Sequence, residues 1–167
     1  MELDQLAFLD IETSWERLIT VIGVYRPLRG TVQWIAPNIS ASKVLEGLEG
    51  VRRLYTFNGA CFDIPVLRDQ LGIDLSVMMP HQDLLRDCRK KKLKGGLKSI
   101  EAQLGIHRET AGTDGLEAMN LWAAHQRGSA EALERLLLYN REDIENLEIL
   151  ARKLELLPKD LVAAKKL

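Results

Sequence analysis

The segment Leu6-Ala7-Phe8-Leu9-Asp10-Ile11-Glu12-Thr13-Ser14-Trp15 decides how the rest of this chain is read. Its four leading apolar residues describe a short strand buried on both faces, with two acids at the exit. Strand side chains alternate between faces, so Asp10 and Glu12 point the same way. Two carboxylates on one face of a buried strand repel each other and lose hydration, and a cation is the simplest compensation. The bland alternative for this pair alone is the start of a polar loop shared with Thr13 and Ser14.

Working outward, Leu18 to Tyr25 is rich in β-branched residues and reads as a second strand. Arg26-Pro27-Leu28-Arg29-Gly30 is a turn, and Thr31 to Ala36 a third strand, which together give an antiparallel meander. Ser40 suits the N-cap of a helix over Ala41 to Leu48. Arg53 to Phe57 reads as a fourth strand, Phe62 to Leu71 as a helix, and the region near Leu75 to Met79 as a short fifth strand. Beyond Pro80 the pattern is helical, with short helices expected near 82–92, 97–104 and 115–127 and a long one from Ser129 to Leu157. Strands, then a strand–helix alternation, then helices describe an α/β domain around a mixed sheet of about five strands, here a single domain over residues 1–167.

Asp63 lies in Asn58-Gly59-Ala60-Cys61-Phe62-Asp63-Ile64-Pro65, at the expected start of a helix. Capping is a strong competing explanation, since aspartate is favoured at N-caps and proline in the first turn. The long helix is more telling. Leu136, Tyr139, Asp143, Leu147, Leu150 and Leu154 recur at intervals of three or four and form a core-facing stripe. Asp143 interrupts that stripe, where it is expected to be buried without a partner at a cost of several kcal/mol. Tyr139 stands one turn before it on the same face, with a plain core aromatic as the alternative.

These residues resemble a known family. Asp10-Ile11-Glu12, the run Asn58 to Asp63, and Tyr139-Asn140-Arg141-Glu142-Asp143 resemble the three exonuclease motifs of the DEDD group within the ribonuclease H-like superfamily. A tyrosine four residues before the last aspartate is similar to the tyrosine-type branch. The histidine-type branch has a histidine five residues before it, where this chain has Leu138. Leu97-Lys98-Ser99-Ile100-Glu101-Ala102-Gln103-Leu104-Gly105-Ile106 and the run Tyr139 to Leu147 most resemble the YprB-like bacterial members. The resemblance spans Phe8 to about Leu150. It implies a ribonuclease H-like fold and the removal of nucleotides from a single-stranded 3′ end. It also implies that Asp10 bridges two metals, that Glu12 and Asp143 complete the one that activates water, and that Asp63 holds the other. Relatives often carry Thr-Gly-Leu after the acid pair. This chain has Thr13-Ser14-Trp15, which makes Trp15 a candidate for stacking on a base, with plain core as the alternative. Thr13, Asn58, Phe62, Lys94 and Lys98 stand as candidate substrate contacts.

The chemistry suits the donor set. Phosphodiester hydrolysis needs a nucleophile at neutral pH and a sink for charge on the leaving oxygen, and two metals roughly 3.5–4 Å apart supply both. Oxygen-only ligands favour hard cations, Mg²⁺ or Mn²⁺. Tyr139 is a poor general base, because an ordinary phenol has a pKa of about 10; orienting the attacking water suits it better.

Formal net charge is −1, so any nucleic acid contact is local. The basic run Arg86, Arg89, Lys90, Lys91, Lys92, Lys94 and Lys98 is a natural phosphate track, with a solvated helix face as its alternative. Asp83 ahead of it is a candidate helix cap or a support to the acidic site. His81, His107 and His125 lack the spacing of a zinc site, and Cys61 and Cys88 form no CxxC pair. The start Met1-Glu2-Leu3-Asp4-Gln5 lacks a basic signal-peptide region, and a cytoplasmic protein is expected. The competing functional class is a catalytically weak nucleic-acid-binding or scaffolding module that retains the fold; within enzymes the rival is an endonuclease of ribonuclease H type.

Overall fold

In the computed structural model, residues 2–112 and 114–158 are described. The leading apolar run forms the centre of a five-stranded sheet. Strands β1 (Leu6–Thr13), β2 (Ile19–Arg26), β3 (Gly30–Ile35), β4 (Arg53–Thr56) and β5 (His81–Asp83) lie in the order β3-β2-β1-β4-β5. β1 pairs antiparallel with β2 and parallel with β4. β2 pairs antiparallel with β3, and β4 parallel with β5, so the sheet is mixed.

Leu6, Ala7, Phe8 and Leu9 are all fully buried, because helices cover both faces of β1. Ala7, Leu9 and Ile11 pack with Val44 of α1 (Ala41–Gly47), Leu67 of α2 (Asp63–Leu71) and Leu75 of α3 (Leu75–Met78). Leu6 and Phe8 pack on the other face, with Leu84 and Cys88 of α4 (Leu84–Lys90), Ile100 of α5 (Leu97–Gln103), and Leu147 and Leu150 of α7 (Ala130–Lys153). A fully buried aliphatic or aromatic side chain contributes roughly 1.5–3 kcal/mol. The even positions of β1 thus look toward α7, which puts Asp10 and Glu12 on that side.

The long helix begins where Ser129 caps it, its side chain accepting from the Ala132 amide. Leu136, Tyr139, Asp143, Leu147 and Leu150 are buried along it, as the stripe requires. Helix α6 (Gly115–Gln126) packs against α7 and contributes Trp122 to a third apolar cluster with Val21, Leu136 and Tyr139.

One expected element is corrected and two helix boundaries shift. Leu75 to Met79 is not a strand: Asp74 caps α3 by accepting from the Ser76 amide, and Val77 and Met78 are exposed. The fifth strand follows instead at His81–Asp83, where Leu54, Tyr55 and Thr56 of β4 offer a parallel edge. The helix expected to start near 82 starts at Leu84, because Asp83 is its N-cap. The long helix ends at Lys153, short of Leu157.

Candidate active site

Asp10 and Glu12 leave β1 toward α7, where Asp143 interrupts the apolar stripe. One carboxylate oxygen from each lies within 4.8 Å of the other two. Glu12 and Asp143 are buried, Asp10 half-buried. The Asp10 carboxylate accepts from Asn140 Nδ2 at 3.0 Å. Glu12 Oε1 is buried with no hydrogen-bond partner among the described residues. An orphaned buried carboxylate oxygen is costly, and a hard cation between the three acids would satisfy it. The residues present therefore fit a divalent metal.

Asp63 stands beside this trio as the first residue of α2, not its cap, which is Phe62. Its Oδ1 accepts from the Ile11 amide at 3.0 Å, tying α2 to β1 between the two acids. Burial pushes the Asp63 carboxyl up to about 7, against the pull of its hydrogen bonds from backbone amides. Burial, then Glu12, Asp143 and Asp63, holds Asp10 well above the usual carboxylate range. Burial and Asp143 do the same to Glu12. Asp143 is also raised, because burial outweighs its cationic neighbours Arg108 and Lys98.

Tyr139 lies one turn before Asp143 and is buried. Its hydroxyl accepts from Lys98 Nζ, and the same ammonium sits 4.0 Å from the ring centroid. Burial and the charges of Asp143, Glu12 and Asp10 raise the phenol, so it stays protonated and remains a donor.

Asp143 is not unpartnered, as its place in the stripe suggests. Arg108 donates to its Oδ1, and the Arg108 guanidinium is itself held by buried Glu101 through bonds of 2.8 and 2.9 Å. Sequence reasoning missed Arg108 because it lies in an irregular stretch with no periodicity to mark it. Asp83 is both cap and clamp: it accepts from Leu85 in α4, from Asn58 at 2.8 Å and from Ala60 at 3.2 Å, fastening the turn that precedes Asp63.

A cavity of about 860 Å³ opens beside Glu12, lined among others by Thr13, Trp15, Phe62, Leu116 and Met119. Trp15 is 54% exposed, so it is not a core residue. Of the candidate substrate contacts, Thr13 and Phe62 reach this cavity and Lys98 reaches Tyr139. Asn58 is exposed in its turn, and Lys94 is exposed in the loop before α5; neither lines the cavity. The rest of the basic run is exposed along α4 and that loop, with Lys90 paired to Asp87 at 3.0 Å.

The family model of the RNase_H superfamily matches residues 7–155. The chain belongs to the RNase_H superfamily. Nucleases of this superfamily use divalent metals, and Asp10, Glu12 and Asp143 form an acidic group able to bind one. No curated protein matches the chain in sequence. Among solved structures, the family B DNA polymerase from the hyperthermophilic archaeon Pyrobaculum calidifontis is similar, with a TM-score of 0.67 at 15% identity. The match covers 90% of this chain and 24% of the polymerase, and at that identity it shows the fold alone. The described residues contain no helix long and apolar enough to cross a membrane.

Proposed function

We propose that this RNase_H superfamily member is a metal-dependent 3′–5′ exonuclease of the tyrosine-type DEDD group, YprB-like in its motifs, acting on single-stranded ends of DNA or RNA. The observation that carries the reading is the meeting of Asp10, Glu12 and Asp143, one oxygen of Glu12 being buried without a hydrogen-bond partner among the described residues, with Asp63 and Tyr139 adjoining. The 3′ polarity rests on the motif resemblance.

Asp10, Glu12 and Asp143 would hold one divalent cation, and Asp63 with Asp10 a second. Two such cations, Mg²⁺ or Mn²⁺, supply a nucleophile at neutral pH and neutralise charge on the leaving oxygen. Tyr139 keeps its proton and orients the attacking water by a hydrogen bond. Lys98 fixes the phenol and brings a positive charge to the phosphate. Thr13 and Phe62 line the cavity that receives the terminal nucleotides, and exposed Trp15 offers a stacking face. Lys94 and its basic neighbours would contact the strand leading in, with Asn58 at the turn before Asp63.

The decisive experiment incubates the purified protein with Mn²⁺ and 5′-labelled single-stranded DNA and RNA. A ladder of products shortened one nucleotide at a time is expected, with circular substrates left intact and Asp10→Ala inactive. Cleavage of circular strands would reassign the protein to the endonucleases. One observation favours the non-catalytic rival: Arg108 and Lys98 already supply countercharge to the acids. That module would bind single strands without shortening them, and Mn²⁺ would leave its melting curve unchanged.

A further inference from the structure

Beside the acidic trio lies a buried cation, Arg108, whose guanidinium makes four hydrogen bonds to side chains. Its side chain is 5% exposed. Nε and Nη2 grip the two oxygens of Glu101, itself 2% exposed, as a bidentate fork. Nη1 donates to Thr110 Oγ1 at 3.2 Å, and Nη2 donates also to Asp143 Oδ1. The guanidinium carbon lies 5.7 Å from the Tyr139 ring centroid. Glu101 is held in turn by Asn146 Nδ2 at 2.9 Å, one turn beyond Asp143 on α7. Glu142, beside Asp143, accepts from the amides of Glu109 and Thr110 and from the Thr110 hydroxyl. The stretch from Glu101 to Thr110 is thus strapped to the face of α7 that carries Asp143 and Tyr139.

We propose that Arg108 is a positioning residue for the third motif: it holds Asp143 by one oxygen, leaves the other to a cation, and keeps Tyr139 in register above. The inference rests on the nuclease reading for its effect on turnover. A planar fork locked to a buried carboxylate sets direction as well as charge, and lysine reproduces only the charge. Arg108 also repels the cation that Asp143 helps to bind. Geometry and charge therefore act in opposite senses: Arg108 aids turnover while weakening metal affinity.

Two variants separate these effects. Glu101→Gln with Arg108→Gln removes the pair together, so Glu101 is not left as an unpaired buried charge; Asp143 loses Arg108 but keeps Lys98 as a cationic neighbour and an amide donor at position 108, so folding should survive. Arg108→Lys keeps the charge and loses the fork. Full-length proteins are titrated with Mn²⁺ by calorimetry, and kcat and KM are measured on a labelled single-stranded DNA oligonucleotide. For the double variant, Mn²⁺ affinity should rise by roughly twofold to tenfold: the cation lost, Arg108, bonds Asp143 directly, whereas the anion lost with it, Glu101, reaches Asp143 only through that guanidinium and acts on it more weakly. Its kcat should fall by about tenfold to a hundredfold, the scale of a small misplacement in an active site, with KM little changed. Arg108→Lys should bind Mn²⁺ as the parent does and still turn over slowly. Weaker Mn²⁺ binding together with slower turnover would assign the network to folding and overturn the proposal, as would a parental kcat in Arg108→Lys. If the parent protein shows no nuclease activity, the proposed function falls instead. The Mn²⁺ titration then still decides the case of Arg108: tighter binding in the double variant supports it, and equal or weaker binding overturns it.

Discussion

Gly23 of β2 faces Asp10 across the sheet, and a Cβ at Gly23 would lie 2.2 Å from Asn140 Oδ1. The missing side chain is what lets α7 approach the sheet closely enough for Asn140 to reach Asp10. Asn140 Nδ2 donates to the Asp10 carboxylate and, at 3.3 Å, to its carbonyl, while Gln33 Nε2 steadies Asn140 Oδ1 at 2.9 Å. The acidic site therefore depends on a glycine one strand away.

Gly23→Ala should push Asn140 and α7 off the sheet. Overpacking of this kind costs about 1–3 kcal/mol, read as a lowered Tm. The rise of Tm on adding Mn²⁺ should shrink as well, because Asp10 and Asp143 move apart. A variant with parental Tm and parental response to Mn²⁺ would show that α7 accommodates the methyl group.

In protein treated with chelator, stability should fall as pH rises. Asp10, Glu12, Asp63 and Asp143 all hold their protons to higher pH in the folded chain than carboxyls ordinarily do, Asp63 up to about 7. The folded state then carries more protons than the unfolded state from the ordinary carboxylate range to about pH 7 and above, so stability decreases across that window. Mg²⁺ or Mn²⁺ should reverse the loss by linkage, more at pH 8 than at pH 6. Asp63→Asn should flatten the metal-free slope, and Asp10→Ala should remove most of the gain from metal. Thermal melts across pH 5–8, with and without Mn²⁺, test this; a metal response independent of pH would contradict it.

Tyr139→Phe keeps the ring, its packing and its contact with the Lys98 ammonium. Folding and Mn²⁺ binding should survive. Loss of one hydrogen bond made in the transition state should slow turnover by roughly tenfold to a thousandfold, as for other single-donor deletions. KM should move little. Full activity would make Tyr139 a core residue only, and failure to fold would make its hydroxyl structural.

Replacing two of Lys90, Lys91, Lys92 and Lys94 by glutamate should weaken binding to single strands. It should also flatten the plot of log affinity against log salt, because fewer counterions are released. Turnover at saturating substrate should change less. An unaltered salt slope would assign the run to a solvated face.

What the chain determines locally could be read before folding. A continuous apolar run forces β1 into the middle of the sheet, and the two-residue period then puts Asp10 and Glu12 on one side of it. The 3.6-residue period of α7 places Tyr139 and Asp143 on its buried face by the same logic. Those periodicities, set by backbone geometry, made the fold and the acidic trio legible. Where periodicity is absent or too short, tertiary structure decided. β5 is three residues long and exists because β4 offers a parallel edge; the apolar residues before it were captured by the Asp74 cap instead. Arg108 has no periodic neighbours, and its meeting with Asp143, 35 residues later, depends on Glu101 and Glu142 strapping an irregular segment to α7. Burying Asp143 creates the demand for a partner, and local sequence expresses that demand; which cation answers it is settled only when the distant segments pack.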